Sequence, residues 1–135
     1  MASLADAEAI SEAIEDAGFP RLRHLDRDRP KPADPDPERW RKQVHVGADP
    51  GRAVNLHVRV AGSPGWRYAL LFRDWLRAEP EARAEYARLK LRLAARYADD
   101  LATEHYAAAK EPWFTEAFPR AEQWALRTGW STPST

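Results

Sequence analysis

The 135-residue sequence contains no cysteine. A disulfide framework, a thiolate metal site and a cysteine nucleophile are therefore excluded. An excess of charge is also lacking, since Lys+Arg and Asp+Glu both number 21 and the formal net charge is +0. Nucleic-acid binders draw much of their affinity from a basic surplus that neutralises phosphates, so no DNA, RNA or anionic membrane is expected as the main partner. No stretch approaches the ~20 apolar residues that span a bilayer. The opening Met1-Ala2-Ser3-Leu4-Ala5-Asp6 lacks the basic-then-apolar layout of a secretory signal. The expected location is the cytoplasm. Both phosphate-cradling loops, G-x-x-x-x-G-K-[ST] and G-x-G-x-x-G, are missing. An independent kinase is not expected from this chain, and no complete catalytic centre either.

What is present fits a globular chain. The apolar fraction of 44% is ordinary, and the length suits one domain over residues 1–135. Six tryptophans need a place to pack.

Ser3 followed by Asp6 resembles a capping box, with Asp in place of Glu. Leu4, Ile10, Ile14 and Ala17 recur at helical spacing and Gly18 suits the position past a C-cap. A helix is predicted from about Leu4 to Ala17. Its start almost at residue one suggests a cut end, hence a piece of a larger protein. Phe19 to Leu25 alternates and is a candidate strand. Asp26 to Pro37 holds four prolines and no large apolar residue, and reads as an exposed loop.

Trp40 to Val46 and Val54 to Val60 are the clearest strands. In the second, Val54, Leu56, Val58 and Val60 alternate with Asn55, His57 and Arg59, so the aliphatic side is expected to be the buried face. Asp49-Pro50-Gly51-Arg52 supplies hairpin turn chemistry. A lone hairpin is marginal in water and calls for more strands or a helical cover. Helices are predicted from Trp66 to Arg77, from Pro80 to about Asp99, from about Leu101 to Lys110, and from Pro112 to about Arg127. Pro119 would kink the last of these or limit its first turn, and Ser131 to Thr135 would form a frayed tail. The fold class is α+β: a small antiparallel sheet of two or three strands with four to five helices.

Few residues suggest chemistry. His45 and His57 should share the polar sheet face. Zinc needs three or four ligands, so they read as solvated or hydrogen-bonded histidines and no metal site is assigned. Asp26-x-Asp28 has a Mg²⁺-holding spacing, but it enters the proline-rich loop between Arg27 and Arg29 and reads as a solvated charge run. Arg73 and Asp74 fall between apolar helix positions, either as a structural ion pair or with Arg73 as an anion-binding fork. Lys90 and Lys110 pose the same question against the plainer reading of exposed helical lysines. Trp113, Phe114, Phe118 and Trp124 read as core. No catalytic residue and no cofactor is assigned.

Several segments in fixed order resemble the GrpB family. They are Asn55-Leu56-His57-Val58-Arg59-Val60, Phe72-Arg73-Asp74-Trp75-Leu76-Arg77, Tyr86 to Lys90, and Tyr106 to Lys110 with Trp113-Phe114. Lys42 to Arg52 and Ala109 to Phe114 look like the version fused as a C-terminal domain to actinobacterial dephospho-CoA kinase. The resemblance implies the C-terminal portion of a nucleotidyltransferase-like domain, since the family's opening Gly-Ser turn and acidic strand have no counterpart here. No catalytic acid carries over. It further implies a non-catalytic accessory domain acting in folding, stability or regulation. The kinase domain of the same parent chain would be its partner, and that enzyme phosphorylates dephospho-CoA with ATP in coenzyme A biosynthesis. The alternative is a phosphate- or nucleotide-binding remnant in which His57, Arg59, Arg73, Lys90 and Lys110 line an anion groove. A bare sheet edge would also leave a homodimer open.

Overall fold

Ser3 opens the first helix, and the computed structural model describes residues 3–47, 49, 51–100 and 103–134. Contacts divide the chain into two compact units, one running to Ala69 and the other from Leu70 to Ser134.

In the first unit, α1 (Leu4–Asp16) is capped as its sequence suggests. The Ser3 hydroxyl accepts the Asp6 N–H at 3.1 Å and donates to the Asp6 carboxylate at 2.7 Å. At the far end Gly18 takes φ +97, and the N–H groups of Gly18 and Phe19 donate to the carbonyls of Glu15 and Ile14. This paired closure requires the left-handed residue that glycine tolerates.

Ala7 and Ser11 are the buried positions of α1, which packs on β1 (Lys42–Val46) and β2 (Asn55–Arg59). The strands are antiparallel, with Lys42 opposite Arg59, Val44 opposite His57 and His45 opposite Leu56. The Asp49 carboxylate accepts the Gly51 N–H at 2.8 Å, and Arg52 N–H reaches the Asp49 carbonyl at 3.2 Å. The expected turn is thus present, although its Pro50 lies outside the described residues.

Two expectations change here. The candidate strand Phe19 to Leu25 is not a strand but an interrupted edge. It touches β1 through Leu22 N–H to Val44 O at 2.8 Å and Val46 N–H to Pro20 O at 3.0 Å. Pro20 has no N–H to give, and Leu25 N–H turns back to Leu22 O, so no ladder can extend. Lower down, Asp28 N–H to Trp40 O and Lys42 N–H to Asp26 O continue the edge. The buried face of β2 is the second correction. Leu56 and Val54 each stay 38% exposed, while Gln43, Val44 and His45 of β1 are all buried. Among the described residues β1 has hydrogen-bonded neighbours on both edges and β2 on one, and that position outweighs the alternation of β2. A short 3-10 turn, Pro37–Trp40, ends the proline-rich loop. Its buried Trp40 donates from Nε1 to the Asp34 carbonyl at 2.8 Å and meets Tyr68 edge-on.

Helix α2 (Pro64–Ala78) begins in the first unit, where Ser63 Oγ accepts the Trp66 N–H, and ends in the second. It is followed by α3 (Pro80–Arg96) and α4 (Thr103–Thr128). Pro80 occupies the first helical turn, as expected. The two separate C-terminal helices do not occur. One helix runs through Pro112 and Pro119, and the Leu101 start expected for the first of them lies outside the described residues. An interior proline costs about 3 kcal/mol, but Ala109, Trp113, Ala117, Ala121 and Trp124 keep one shielded apolar phase across both prolines, and burying that stripe offsets the cost. Phe72 is the hub of this unit. Its ring centroid lies 5.5 Å from Trp75, 6.2 Å from Trp113, 5.4 Å from Phe114 and 6.3 Å from Phe118. The C-terminal aromatics are therefore core, as the sequence suggested. Among the described residues no helix is long and apolar enough to cross a membrane.

Candidate functional site

Asp28 overturns the reading of the Asp26-x-Asp28 pair as a solvated run. Its side chain is only 23% exposed and is held from two strands. Lys42 Nζ of β1 lies 2.6 Å from one carboxylate oxygen, and Arg59 of β2 donates from Nε at 2.9 Å and from a terminal nitrogen at 3.1 Å. Asp26 turns instead to Arg27, which bridges both its oxygens at 3.0 Å. The two carboxylates therefore have different partners and do not form a joint ion cradle. Burial alone would raise the Asp28 carboxyl, but the hydrogen bonds and charges of Arg59 and then Lys42 outweigh it and hold it below the usual range.

The strand register separates the histidines. Residues opposite each other across a pair share a face, so His57 lies with Val44, Lys42 and Arg59, and His45 lies on the other face with Leu56. The expectation of a common polar face fails, because β1 is covered on both sides. His45 is wholly buried. Its Nδ1 is 2.9 Å from the Phe19 carbonyl, which assigns the proton there, and Nε2 is 3.4 Å from Gln43 Oε1. His57 keeps a solvent-exposed surface. Its imidazole is pushed down to about 4, first by desolvation of the ring and then by the charges on Lys42 and Arg59, with Asp28 pulling weakly the other way. His57 is neutral at pH 7 and can accept or donate one hydrogen bond, but it adds no charge. Among the described residues no three His, Asp or Glu side chains gather as a metal ion would need.

In the second unit Arg73 forks onto its neighbour Asp74, with Nε at 2.7 Å and a terminal nitrogen at 3.1 Å. Asp74 also accepts the Trp130 indole N–H at 3.0 Å. Arg73 and then Trp130 hold the Asp74 carboxyl below its ordinary range against a smaller effect of burial. Lys90 and Lys110 are arranged differently. Lys90 Nζ stands 4.9 Å from the Tyr86 ring centre and Lys110 Nζ stands 4.7 Å from that of Tyr106. Desolvation, and then the charge of Lys90, push the Lys110 ammonium down, so the two lysines lie within electrostatic reach of each other.

Of the five candidate anion-binding residues, the strand register thus puts His57 and Arg59 on one face, Lys90 and Lys110 stand on the packed helices α3 and α4, and Arg73 is held by Asp74. Lys42 escaped sequence reasoning, and Asp28 was read as solvated. Asp28 meets Arg59 across 31 positions, and no local pattern signals a pair so distant.

Comparison with known proteins gives the kinship. Residues 1–120 match the family described as GrpB protein. Dephospho-CoA kinase of Mycolicibacterium paratuberculosis is 45% identical over 138 residues, covering 95% of this chain and 33% of its own length. Dephospho-CoA kinase of Mycobacterium tuberculosis is 41% identical over 138 residues, with the same two shares. A UPF0157 protein of Bacillus subtilis, YqkA, is 38% identical over 73 residues, which is 54% of this chain and 21% of that protein. The chain spans about a third of the length of the kinases it matches. With the family match running through both compact units, the chain belongs to the GrpB family.

Proposed function

We propose that this chain is a non-catalytic accessory domain of a dephospho-CoA kinase, stabilising, helping to fold or regulating the kinase domain joined to it in the parent protein. The observation that carries the reading is the pattern of similarity: 95% of this chain matches proteins named dephospho-CoA kinase, yet it accounts for only 33% of their length. The phosphoryl transfer named in those relatives belongs, on this reading, to the remaining two thirds.

The charged residues support it. Asp28, the best-held carboxylate, has its capacity taken up by Lys42 and Arg59, and the sequence carries no phosphate loop. A carboxylate fixed by two cations contributes to structure and is poorly placed to accept a proton from a substrate.

The test is to express the parent kinase with and without this segment and to compare soluble yield, melting temperature and turnover per folded molecule. An accessory role predicts lower yield or melting temperature, or an altered nucleotide response, when the segment is removed. Equal values in all three would defeat the proposal, as would phosphorylation of dephospho-CoA by this chain alone.

A further inference from the structure

Arg59 forks onto the part-buried Asp28 and Arg73 onto Asp74 at the surface. Lys90 and Lys110 do not. Among the described residues neither forms an ion pair, and each ammonium group lies against the face of the tyrosine four positions before it, Tyr86 for Lys90 and Tyr106 for Lys110. A tyrosine face attracts a cation but carries no net charge, so neither positive charge is neutralised.

The packing of α3 on α4 puts these two pairs together. Tyr86 stacks on Trp113 with ring centres 4.8 Å apart and planes at 17°. Trp113 lies three positions after Lys110, nearly one turn further along α4. Tyr86 of α3, with Lys90 over its ring, thus lies against the turn of α4 that follows Lys110, and the upward push on the Tyr86 hydroxyl, first by burial and then by Tyr106, agrees with that placement. Lys110 is only half exposed, and the repulsion from Lys90 outweighs the attraction of Glu111. Two like charges held near each other on a partly desolvated surface cost free energy, and a doubly charged anion between them would remove that cost.

We propose that Lys90 and Lys110, framed by Tyr86 and Tyr106, form a binding site for the phosphoryl group of a phosphate monoester or diphosphate. Two ammonium groups match the charge of about −1.5 to −2 that a phosphate monoester carries at pH 7, and lysine serves phosphate as a point charge needing no fork geometry. The site lies wholly within the second unit and depends neither on a parent kinase nor on the accessory role. The kinase comparison above can therefore fail while this site stands, and the reverse.

Titration of this chain with inorganic phosphate and with pyrophosphate, followed by NMR of the lysine side chains, tests it. The expected result is a saturable shift at Lys90 and Lys110, with Lys110→Gln and Lys90→Gln each weakening binding about 10-fold to 100-fold, the cost of one charge-assisted hydrogen bond. Arg39→Gln, in the first unit, should leave the affinity unchanged. Because Lys110 is half-buried, Lys90→Gln at an exposed position and Lys110→Arg, which keeps the charge and should keep binding, guard against a mere folding defect. The absence of a saturable shift would overturn the proposal. So would an affinity indifferent to both glutamine variants, or an equal response to chloride at matched ionic strength.

Discussion

The Asp28 carboxylate lies 2.9 Å from where a Cβ on Gly65 would stand. Gly65 is the second residue of α2, so the helix begins directly against the carboxylate that Lys42 and Arg59 hold. The same Cβ would come within 3.6 Å of Arg59 Nε and 3.7 Å of the Trp40 ring. Glycine is used here because a backbone must come close to an ion pair, although its φ is not left-handed.

Gly65→Ala should therefore destabilise the chain. Alanine is normally worth about 1 kcal/mol more than glycine inside a helix. Here overpacking against a fixed carboxylate should reverse the sign, for a net loss of about 1–2 kcal/mol. In an Asp28→Ala background the obstruction is gone, and Gly65→Ala should become neutral or stabilising. A double-mutant cycle by urea denaturation reads this coupling, and additive effects would show that the close approach does not matter.

Much of the fold could be read from local chemistry. Ser3, Asp6 and Gly18 mark both ends of α1, and Pro80 marks the start of α3, because caps and prolines act within a few residues. The misread parts depended on neighbours distant in sequence. The buried face of the hairpin was assigned from the alternation in β2, but burial follows β1, whose second edge is covered by residues 20–28. Likewise Pro112 and Pro119 signal interruption locally, and only the aromatic packing around Phe72 explains why α4 continues. At the candidate site, Arg73 beside Asp74 was visible as a pair because the two are adjacent. Asp28 was misassigned because Lys42 and Arg59, which bury it, belong to other elements.

The electrostatics around His57 predict an acid limb in stability. In the unfolded chain the imidazole titrates near 6.5, whereas in the folded chain it does so near 4. Between those values the unfolded state binds more protons, so stability falls as the pH falls. The contribution is complete above about pH 6.5 and lost by about pH 4. One proton sets a ceiling of about 1.4 kcal/mol per pH unit, and the exposure of His57 should keep the slope well below it. Asp28 acts in the same direction at lower pH, because its depressed carboxyl stabilises above the usual carboxylate range and that stability goes as the pH falls through the folded value. His57→Gln should flatten melting temperature against pH between 6.5 and 4 and leave the steeper loss below. An unchanged profile would mean that the imidazole is not perturbed in the folded chain.

Pro119 offers a test of the continuous α4. It is exposed and inside the helix, so it withholds one backbone hydrogen bond without contributing buried surface. Pro119→Ala should stabilise by about 2 kcal/mol, from about 3 kcal/mol of relieved helix strain less about 1 kcal/mol for a freer unfolded chain. The denaturant midpoint should rise with little change in slope. A fall would indicate that the helix is broken at this point.

Asp74 and Arg73 should differ sharply although they form one pair. Arg73 is 44% exposed and contacts a neighbour already close along the helix, so Arg73→Ala removes a surface interaction worth about 0–1 kcal/mol. Asp74→Ala removes that interaction and also the acceptor of the Trp130 indole N–H. Trp130 follows Gly129, whose φ of +67 turns the chain back so that the Trp130 N–H reaches the Ala125 carbonyl at 3.0 Å. The ring then lies 6.4 Å from Trp124. Loss of the acceptor should release this turn at a cost of about 1–3 kcal/mol, and the near-UV dichroism and tryptophan fluorescence of Trp130 should change. Arg73→Ala should leave both spectra alone. If the two substitutions cost the same and leave the spectra alike, Asp74 is acting only as a counter-charge for Arg73, and the return of Trp130 onto α4 does not depend on its indole hydrogen bond.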